Sequence, residues 1–193
     1  ARLELKASLP FFFKEAGLTA GVLVADFTLD DYPLNSLGAF TGQSLSGNLS
    51  SNGKVEGPLS ELTTNLSFSL ENPQFSSIRL QEKWSGNFIG FSGKGGELEM
   101  KSVGAALPAS ISAKIGANWG LDYLTISRLG GEISVTRGQD SYGWSARDFR
   151  LDRIELALPP EKRFKRIFGK LSGSGNFAPN PLSLNGNLLL GYP

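Results

Sequence analysis

The sequence predicts an all-β protein in which one long antiparallel sheet curves around an apolar interior. Apolar and polar residues alternate along most of the chain, as expected of strands with one face on a core and the other in water. The chain also contains 24 glycines among its 193 residues, and glycines on the apolar faces of strands permit tight curvature. A single sheet this wide must roll or close, so we expect a half-pipe, shaped like a taco shell, or an incompletely closed barrel.

The clearest strand pattern lies in residues 45–70. Apolar or small residues occupy the odd positions up to Gly57, and they include Leu49 and Val55. A short segment with Pro58 follows, and a second alternation includes Leu66 and Phe68. Two half-apolar strands joined by a short proline turn predict a β-hairpin.

The rest of the chain repeats this design with short connections, and we expect about ten strands. Three consecutive phenylalanines, Phe11 to Phe13, break the period after the first strand. They could cover the end of a core or face a membrane. Outside the hairpin, strands are predicted at residues 3–9, 18–29, 78–88, 98–100, 109–119, 124–126, 131–135, 149–158 and 184–190.

One short helix is predicted over residues 161–168, directly after two prolines. Phe164 and Phe168 are four residues apart, as on one helix face. The segment is basic, and it could meet anionic lipid headgroups or an acidic partner. Alternatively, its apolar residues close one end of the sheet. The candidate partner-binding residues are Lys162, Arg163, Lys165 and Arg166.

The phrase that opens the hairpin returns near the end of the chain. Leu171-Ser172-Gly173 repeats Leu45-Ser46-Gly47, and Pro181-Leu182-Ser183 repeats Pro58-Leu59-Ser60. We therefore expect an internal repeat over residues 45–170 with a truncated second copy at 171–193. The chain opens on Ala1 rather than Met, and residues 1–193 are expected to form a single β-rich segment of a larger repetitive protein.

Composition argues against most catalytic chemistry. The formal net charge is +1, which provides no field to attract nucleic acid. The absence of cysteine and histidine removes thiolate metal sites, the commonest metal ligand and every histidine-containing triad. Glu97 and Glu99 are two residues apart, so we interpret these paired carboxylates as part of a solvated strand face. We predict no catalytic residues, no metal, no cofactor and no enzymatic activity, and no apolar run is long enough for a transmembrane helix.

The apolar residues of the predicted strands are the candidate functional residues. Their face could form a sealed core or a trough wide enough to hold lipid, and the residue pattern leaves both possibilities open. The candidate groove-lining residues are Leu49, Val55, Leu66, Phe68, Leu80, Trp84, Ile111, Ile115, Trp119, Ile133, Val135, Leu156 and Leu158.

Two phrases of the chain are similar to a known family. The cadence Leu-Ser-Gly-Asn-Leu from Leu45, with Gly-Lys-Val-Glu-Gly-Pro-Leu from Gly53, resembles the TamB family within the AsmA-like group. Residues 27–34 and 171–190 carry similar phrases. Trp84-Ser85-Gly86 and the proline-rich basic segment differ from the proteobacterial members, which leaves room for a cyanobacterial or plastid-type member.

The resemblance implies a long protein anchored in an inner membrane that crosses the periplasm or a plastid intermembrane space. Its repeated sheets would form a conduit that shields phospholipid acyl chains and supports outer-membrane protein assembly beside a BamA-like barrel protein. The rest of the same chain would continue the sheet on both sides. An alternative from another class is a closed β-sandwich or barrel scaffold that binds a protein or a carbohydrate.

Overall fold

The computed structural model describes residues 2–14, 17–36, 44–104, 108–157, 163–179 and 182–191. Nearly all of the elements described there are strands. In chain order they are β1 (Arg2–Ser8), β2 (Phe11–Lys14), β3 (Gly17–Ala20), β4 (Leu23–Pro33), β5 (Leu45–Gly57), β6 (Thr63–Phe75), β7 (Ile78–Leu80), β8 (Lys83–Phe91), β9 (Gly95–Val103), β10 (Ser110–Ile115), β11 (Leu121–Arg128), β12 (Gly131–Arg137), β13 (Tyr142–Arg150), β14 (Ile154–Ala157), β15 (Phe164–Ile167), β16 (Lys170–Pro179) and β17 (Leu182–Gly191).

Twelve of these strands form one antiparallel path, in the order β1-β4-β5-β6-β8-β9-β10-β11-β12-β13-β16-β17. Short connections join most neighbours, since consecutive amphipathic strands pair most readily as hairpins. Strands β7, β14 and β15 add to the same sheet off this path, and β2 pairs only with β3. The sheet is not closed into a barrel. The predicted all-β fold, with one long antiparallel sheet in an open form, is confirmed.

The two long margins of the sheet differ in their connections. At one margin, named here the turn edge, tight turns join β5 to β6, β8 to β9, β10 to β11 and β12 to β13. At the other margin, named the insertion edge, longer connections contain β7 and the β14–β15 pair. The insertion edge therefore carries the additional strands of the large sheet, whereas the separate β2–β3 hairpin lies at the turn edge.

The inserted strands bridge distant parts of the sheet. β7 pairs with the end of β6 and also with β14, which follows β13 after a short turn. In a flat sheet β6 and β13 would lie six strand spacings apart, or about 29 Å. We name β7, β14 and β15 the bridge. The path from β6 through β7 to β14 covers two strand spacings, and a short turn joins β14 to β13, so the sheet must curve to bring β6 and β13 together.

Apolar residues at the insertion edge identify the concave face. Trp84 and Phe149 are 1% and 4% exposed, and both lie on the sheet face that carries the apolar residues. The next residue of β8, Ser85, points to the opposite face and is exposed. The bridge therefore covers the apolar face, which is the inner face of the half-pipe.

The predicted hairpin of residues 45–70 is confirmed as β5 and β6. Leu49 pairs with Leu70 and Gly53 pairs with Leu66, so the apolar residues of both strands share one face. Strand β6 extends to Phe75, beyond the predicted end. The backbone of Glu61 donates to the carbonyl of Pro58 at 2.8 Å, which closes the turn.

Two predicted elements are wrong. Phe164–Ile167 is a strand, not a helix, and it pairs with β14 along its whole length. So short a helix would be marginal alone, whereas the free edge of β14 satisfies the backbone groups of this segment. The strand predicted over residues 18–29 is also divided, because Gly21 donates to the carbonyl of Pro10 at 2.6 Å and closes the separate β2–β3 hairpin.

The sheet leaves much of its surface in contact with water. The chain exposes 12532 Å², whereas a compact monomer of 20.7 kDa would expose about 8,900 Å². Among the described residues, the buried hydrophobic side chains are few and small apart from three: Leu34, Trp84 and Phe149. A sheet that is open on its apolar side accounts for the excess.

Candidate apolar binding face

Cross-strand pairing aligns apolar residues into continuous rows across the sheet. Partners in an antiparallel ladder point to the same face, so the register of successive strands defines each row. The first row contains one residue from each of the twelve strands, and all of them are apolar or glycine: Leu5, Phe27, Gly53, Leu66, Phe88, Leu98, Ala113, Leu124, Val135, Trp144, Gly175 and Gly186.

A second row lies two residues along each strand on the same face. Its one polar member is Ser51, and the row runs Leu3, Leu29, Ser51, Phe68, Gly86, Met100, Ile111, Ile126, Ile133, Ala146, Gly173 and Leu188. We name the two rows together the apolar face. The residues between the rows point to the opposite face and are all polar: Glu4, Thr28, Asn52, Ser67, Asn87, Glu99, Ser112, Thr125, Ser134, Ser145, Ser174 and Asn187.

Most members of the apolar face are half-buried rather than sealed. Ala113 and Ala146 are buried, whereas Leu5 on the first strand and Leu188 on the last remain more than half exposed. The larger residues of the central strands, such as Leu66 and Ile126, fall between these limits. The face therefore presents accessible hydrocarbon along its whole length.

Large side chains on this face lie over glycines of adjoining positions. A Cβ atom built on Gly53 would stand 2.6 Å from Cζ of Phe27, and one on Gly86 would stand 2.9 Å from Cζ of Phe68. Trp144 covers two glycines of β16 and β17 in the same way. Each ring fills the space that a side chain at the glycine position would occupy. The rings therefore pack against the backbone of the sheet itself.

The apolar face ends at the insertion edge in a buried ion pair. Glu82 accepts a hydrogen bond from Nη2 of Arg128, and both side chains are 5% exposed. The contact crosses β9 and β10, where small Ser102 and Ala109 leave room for it. Burial lowers the pKa of the Arg128 guanidinium, while the charge of Glu82 opposes that shift.

Two polar atoms beside this ion pair lack hydrogen-bond partners within the described residues. They are Oε2 of Glu82 and Nε1 of Trp84. A buried polar group without a partner costs free energy. The buried ion pair therefore marks a sealed margin of the half-pipe at the insertion edge.

The structure places most of the predicted groove residues on the apolar side. Leu66, Phe68, Ile111, Ile133 and Val135 belong to the two rows. Leu49, Val55 and Ile115 point to the same side farther along their strands.

Four predicted groove residues lie elsewhere within the described chain. Trp84 points to the apolar side but is 1% exposed, near the insertion edge. Leu80 and Leu156 belong to β7 and β14 in the bridge itself. The amide of Trp119 donates to the carbonyl of Gly116, which forms a turn after β10. Trp119 therefore lies in that turn rather than on the strand, and it is 69% exposed. Leu158 lies outside the described residues.

Several large residues of the two rows were absent from the predicted set. They are Phe27, Phe88, Leu98, Met100, Leu124, Ile126 and Trp144, and each alternates in phase with a predicted neighbour on the same or an adjoining strand. Counting the period from the predicted residues would have found them.

The basic segment lies on the bridge at the insertion edge. Arg163 and Lys165 are exposed, and Nε of Arg166 lies 3.8 Å from Oε1 of Glu155. Glu155 also contacts Arg79 at 3.5 Å, so a shared carboxylate offsets part of the positive charge. Lys162 lies outside the described residues.

The polar face carries a shallow depression of about 570 Å³ over β4, β5, β6 and β8. Its walls include the charged residues Asp26 and Lys54 and the amides of Asn52, Asn65 and Asn87. Such a surface retains water. It is therefore distinct in chemistry from the apolar face on the other side of the same strands.

Comparisons of this chain with protein-family models, with curated proteins and with solved structures give no match. Across the part of the chain that the structure describes, no group of three or more acidic residues is arranged to hold a metal ion. None of the helices in that part is long and apolar enough to cross a membrane.

Proposed function

We propose that the apolar face binds the acyl chains of phospholipids and that this chain is a segment of an intermembrane lipid conduit. The observation that carries the proposal is the pair of apolar rows, which run unbroken in register across twelve strands and remain accessible. Burial of a methylene group contributes about 0.8 kcal/mol, so an acyl chain lying along a row would be retained and could still slide.

The dimensions of the sheet suit such a ligand. Measured along the curve of the sheet, twelve strands are separated by eleven spacings, or about 53 Å. The hydrocarbon core of a bilayer, which holds two acyl chains end to end, is about 30 Å thick. A row therefore offers room for about three acyl chains in sequence.

The resemblance to the TamB family adds the setting to this proposal. In that setting, the segment belongs to an inner-membrane-anchored protein of the periplasm or of a plastid intermembrane space. The rest of the same chain extends the sheet at β1 and β17, and a BamA-like barrel protein is the outer-membrane partner. The twelve strands alternate in direction, so a strand added beside β1 or β17 can keep the antiparallel order.

The experiment is a matched comparison of two charge substitutions on one strand. Leu66→Asp places a carboxylate on the apolar face, and Ser67→Asp places one on the opposite face of the next residue. Native mass spectrometry and photo-crosslinking with a phospholipid that carries a diazirine in its acyl chain measure lipid capture. We expect L66D to lose capture and S67D to retain it.

A folded L66D variant that captures lipid as well as the wild type would refute the proposal. Circular dichroism and a thermal melt establish that both variants are folded. A second apolar-face variant, Ile126→Asp, tests the second row on β11, which lies seven strands from β1 along the sheet. Equal loss of capture in S67D would show that added charge, rather than the apolar face, controls binding.

A further inference from the structure

Exposed apolar residues also line the turn edge of the sheet. Val22 precedes β4, Leu59 lies in the β5–β6 turn, Phe91 ends β8, and Trp119 lies in the β10–β11 turn. Their exposed fractions are 52%, 53%, 44% and 69%. The β2–β3 hairpin also leaves the sheet at this margin, because Ser8 of β1 pairs with Val24 of β4. We name these four residues the apolar rim.

Trp119 holds its exposed position at a conformational cost. Its φ angle is 60°, in the left-handed region that bulky residues avoid. Such strain costs about 1–3 kcal/mol and persists only where the surroundings impose it. Trp119 is 69% exposed, so packing of its indole offsets little of this cost.

The turn that carries Trp119 is held by several hydrogen bonds. The Trp119 amide donates to the carbonyl of Gly116 at 2.9 Å, and the Gly120 amide donates to Oδ1 of Asn118 at 3.1 Å. Arg137 donates to the same Asn118 oxygen at 3.3 Å and lies 3.6 Å from Asp122. These contacts fix the orientation of the turn, so the indole is displayed in advance of any binding.

We propose that the apolar rim docks on the surface of a lipid bilayer. Successive hairpin turns along this edge lie two strand spacings, or about 10 Å, apart. A protein interface requires a contiguous buried centre, whereas a bilayer surface can receive separate apolar tips along a line. Tryptophan suits this role because its indole combines an apolar body with a polar N–H group.

The charges near the rim favour a zwitterionic surface over an anionic one. Lys94 and Glu61 lie in neighbouring turns, Arg137 is paired with Asp122, and the exposed Asp140 lies in the β12–β13 turn. These charges give the edge no positive excess, so docking depends on apolar insertion rather than on long-range attraction. Docking by this edge does not require the apolar face to hold lipid.

The test uses Trp119→Gly, which removes the indole and suits the left-handed backbone. Its control is Val103→Gly, because Val103 is 48% exposed and lies at the insertion edge. The whole chain is sedimented with phosphatidylcholine vesicles at low and high salt, and the partition coefficient is measured. We expect W119G to lower the partition coefficient about tenfold, since partial burial of a large apolar side chain contributes about this factor. We expect V103G to leave it unchanged.

Tryptophan fluorescence provides an independent readout. Trp84 is buried and Trp144 is half-buried, so acrylamide should quench mainly Trp119 in solution, and vesicles should protect it. We also expect the Tm of W119G to equal or exceed that of the wild type, because the strain is relieved. Membrane binding and stability would then change in opposite directions.

Three outcomes would overturn the docking proposal: W119G sedimenting like the wild type, V103G losing binding equally, or binding that needs anionic lipid and disappears in salt. The acyl-chain proposal is judged separately, because W119G should still capture the photo-crosslinkable phospholipid when the lipid is supplied without vesicles. Loss of vesicle binding with intact capture identifies the rim alone as the docking element.

Discussion

The ring of Phe88 lies over Gly90, two residues farther along the same strand. A Cβ atom on Gly90 would stand 2.7 Å from Cε1 of Phe88, and its three nearest neighbours would all be atoms of that ring. The same ring is also 2.6 Å from the Cβ position of Gly96 on β9. One aromatic side chain thus fills the space above two glycines.

This contact predicts a strong coupling between positions 88 and 90. Gly90→Ala alone should destabilise the fold by about 1–3 kcal/mol, because the new methyl group displaces the ring. In a Phe88→Leu background the same change should be neutral or stabilising, since alanine is preferred to glycine in a strand by roughly 0.5–1 kcal/mol. Urea denaturation of the four proteins in a double-mutant cycle measures the coupling.

Gly143→Ala provides the matched control for that cycle. Gly143 lies in β13, and a Cβ atom there would have no neighbour closer than 3.6 Å. The substitution should slightly stabilise the protein whether or not Phe88 is present. Equal effects at Gly90 and Gly143 would contradict the ring contact.

The buried ion pair predicts an asymmetric mutational response. Arg128→Met removes the partner of a carboxylate that is 5% exposed, and breaking such a pair typically costs about 3–5 kcal/mol. Replacing both residues, as in Glu82→Leu with Arg128→Met, removes the isolated charge and should recover most of the loss. Guanidinium denaturation midpoints compare the variants, and a double variant as unstable as R128M would contradict the expected compensation.

A hydrogen bond from Arg150 lowers the pKa of the Asp152 carboxyl group, with their atoms 2.8 Å apart. Because the folded-state pKa is below the ordinary value of about 3.9, the pair stabilises the fold above that pH. The contribution disappears as the pH falls through the folded-state pKa. Both side chains are partly exposed, so solvent screening keeps this contribution to the free energy of unfolding small.

Arg150→Gln tests this dependence. At neutral pH the variant should be slightly less stable than the wild type, and the difference should vanish as the pH falls below the folded-state pKa of Asp152. NMR titration of the Asp152 side chain should give a higher pKa in R150Q. A stability difference that stays constant down to low pH would assign the effect to packing of the arginine stem instead.

The position of the Trp144 indole predicts which substitutions of this residue preserve stability. Its ring lies over Gly175 and Gly186, and its Nε1 is buried without a partner within the described residues. Trp144→Phe keeps a ring there and removes the unsatisfied donor, so we expect a change in unfolding free energy within about 1 kcal/mol. Trp144→Ala should cost about 3 kcal/mol or more, and thermal melts of the two variants would separate ring packing from hydrogen bonding.

The sequence was sufficient for the parts of the fold that depend on local alternation. Residues 45–70 showed both strands, their shared face and their turn before any pairing was known. The rows across the sheet depend on the register between strands, which alternation within one strand cannot supply. The contact of Arg79 with Glu155 joins segments 76 positions apart, and no local signal marks such a distant pairing.

Each error in the prediction has an identifiable physical cause. Phe164–Ile167 carries spacing that suits a helix, but the unpaired edge of β14 selected a strand, which is a tertiary effect on a weak propensity. Trp119 continued the alternation of β10 in phase, yet Gly116 and Gly120 on either side were signals of a turn. Weighing these glycines would have moved Trp119 from the groove to the rim. The expected repeat stays a prediction.

The overlap of large rings with glycines has a consequence for how this wall can change during evolution. At each such contact, volume is shared between two positions, as between Phe27 and Gly53 or between Phe68 and Gly86. A gain of bulk at one position requires a loss at the other, so the two residues should vary together among relatives. Homologues should therefore exchange large and small residues across neighbouring strands while the combined volume of each pair stays nearly constant.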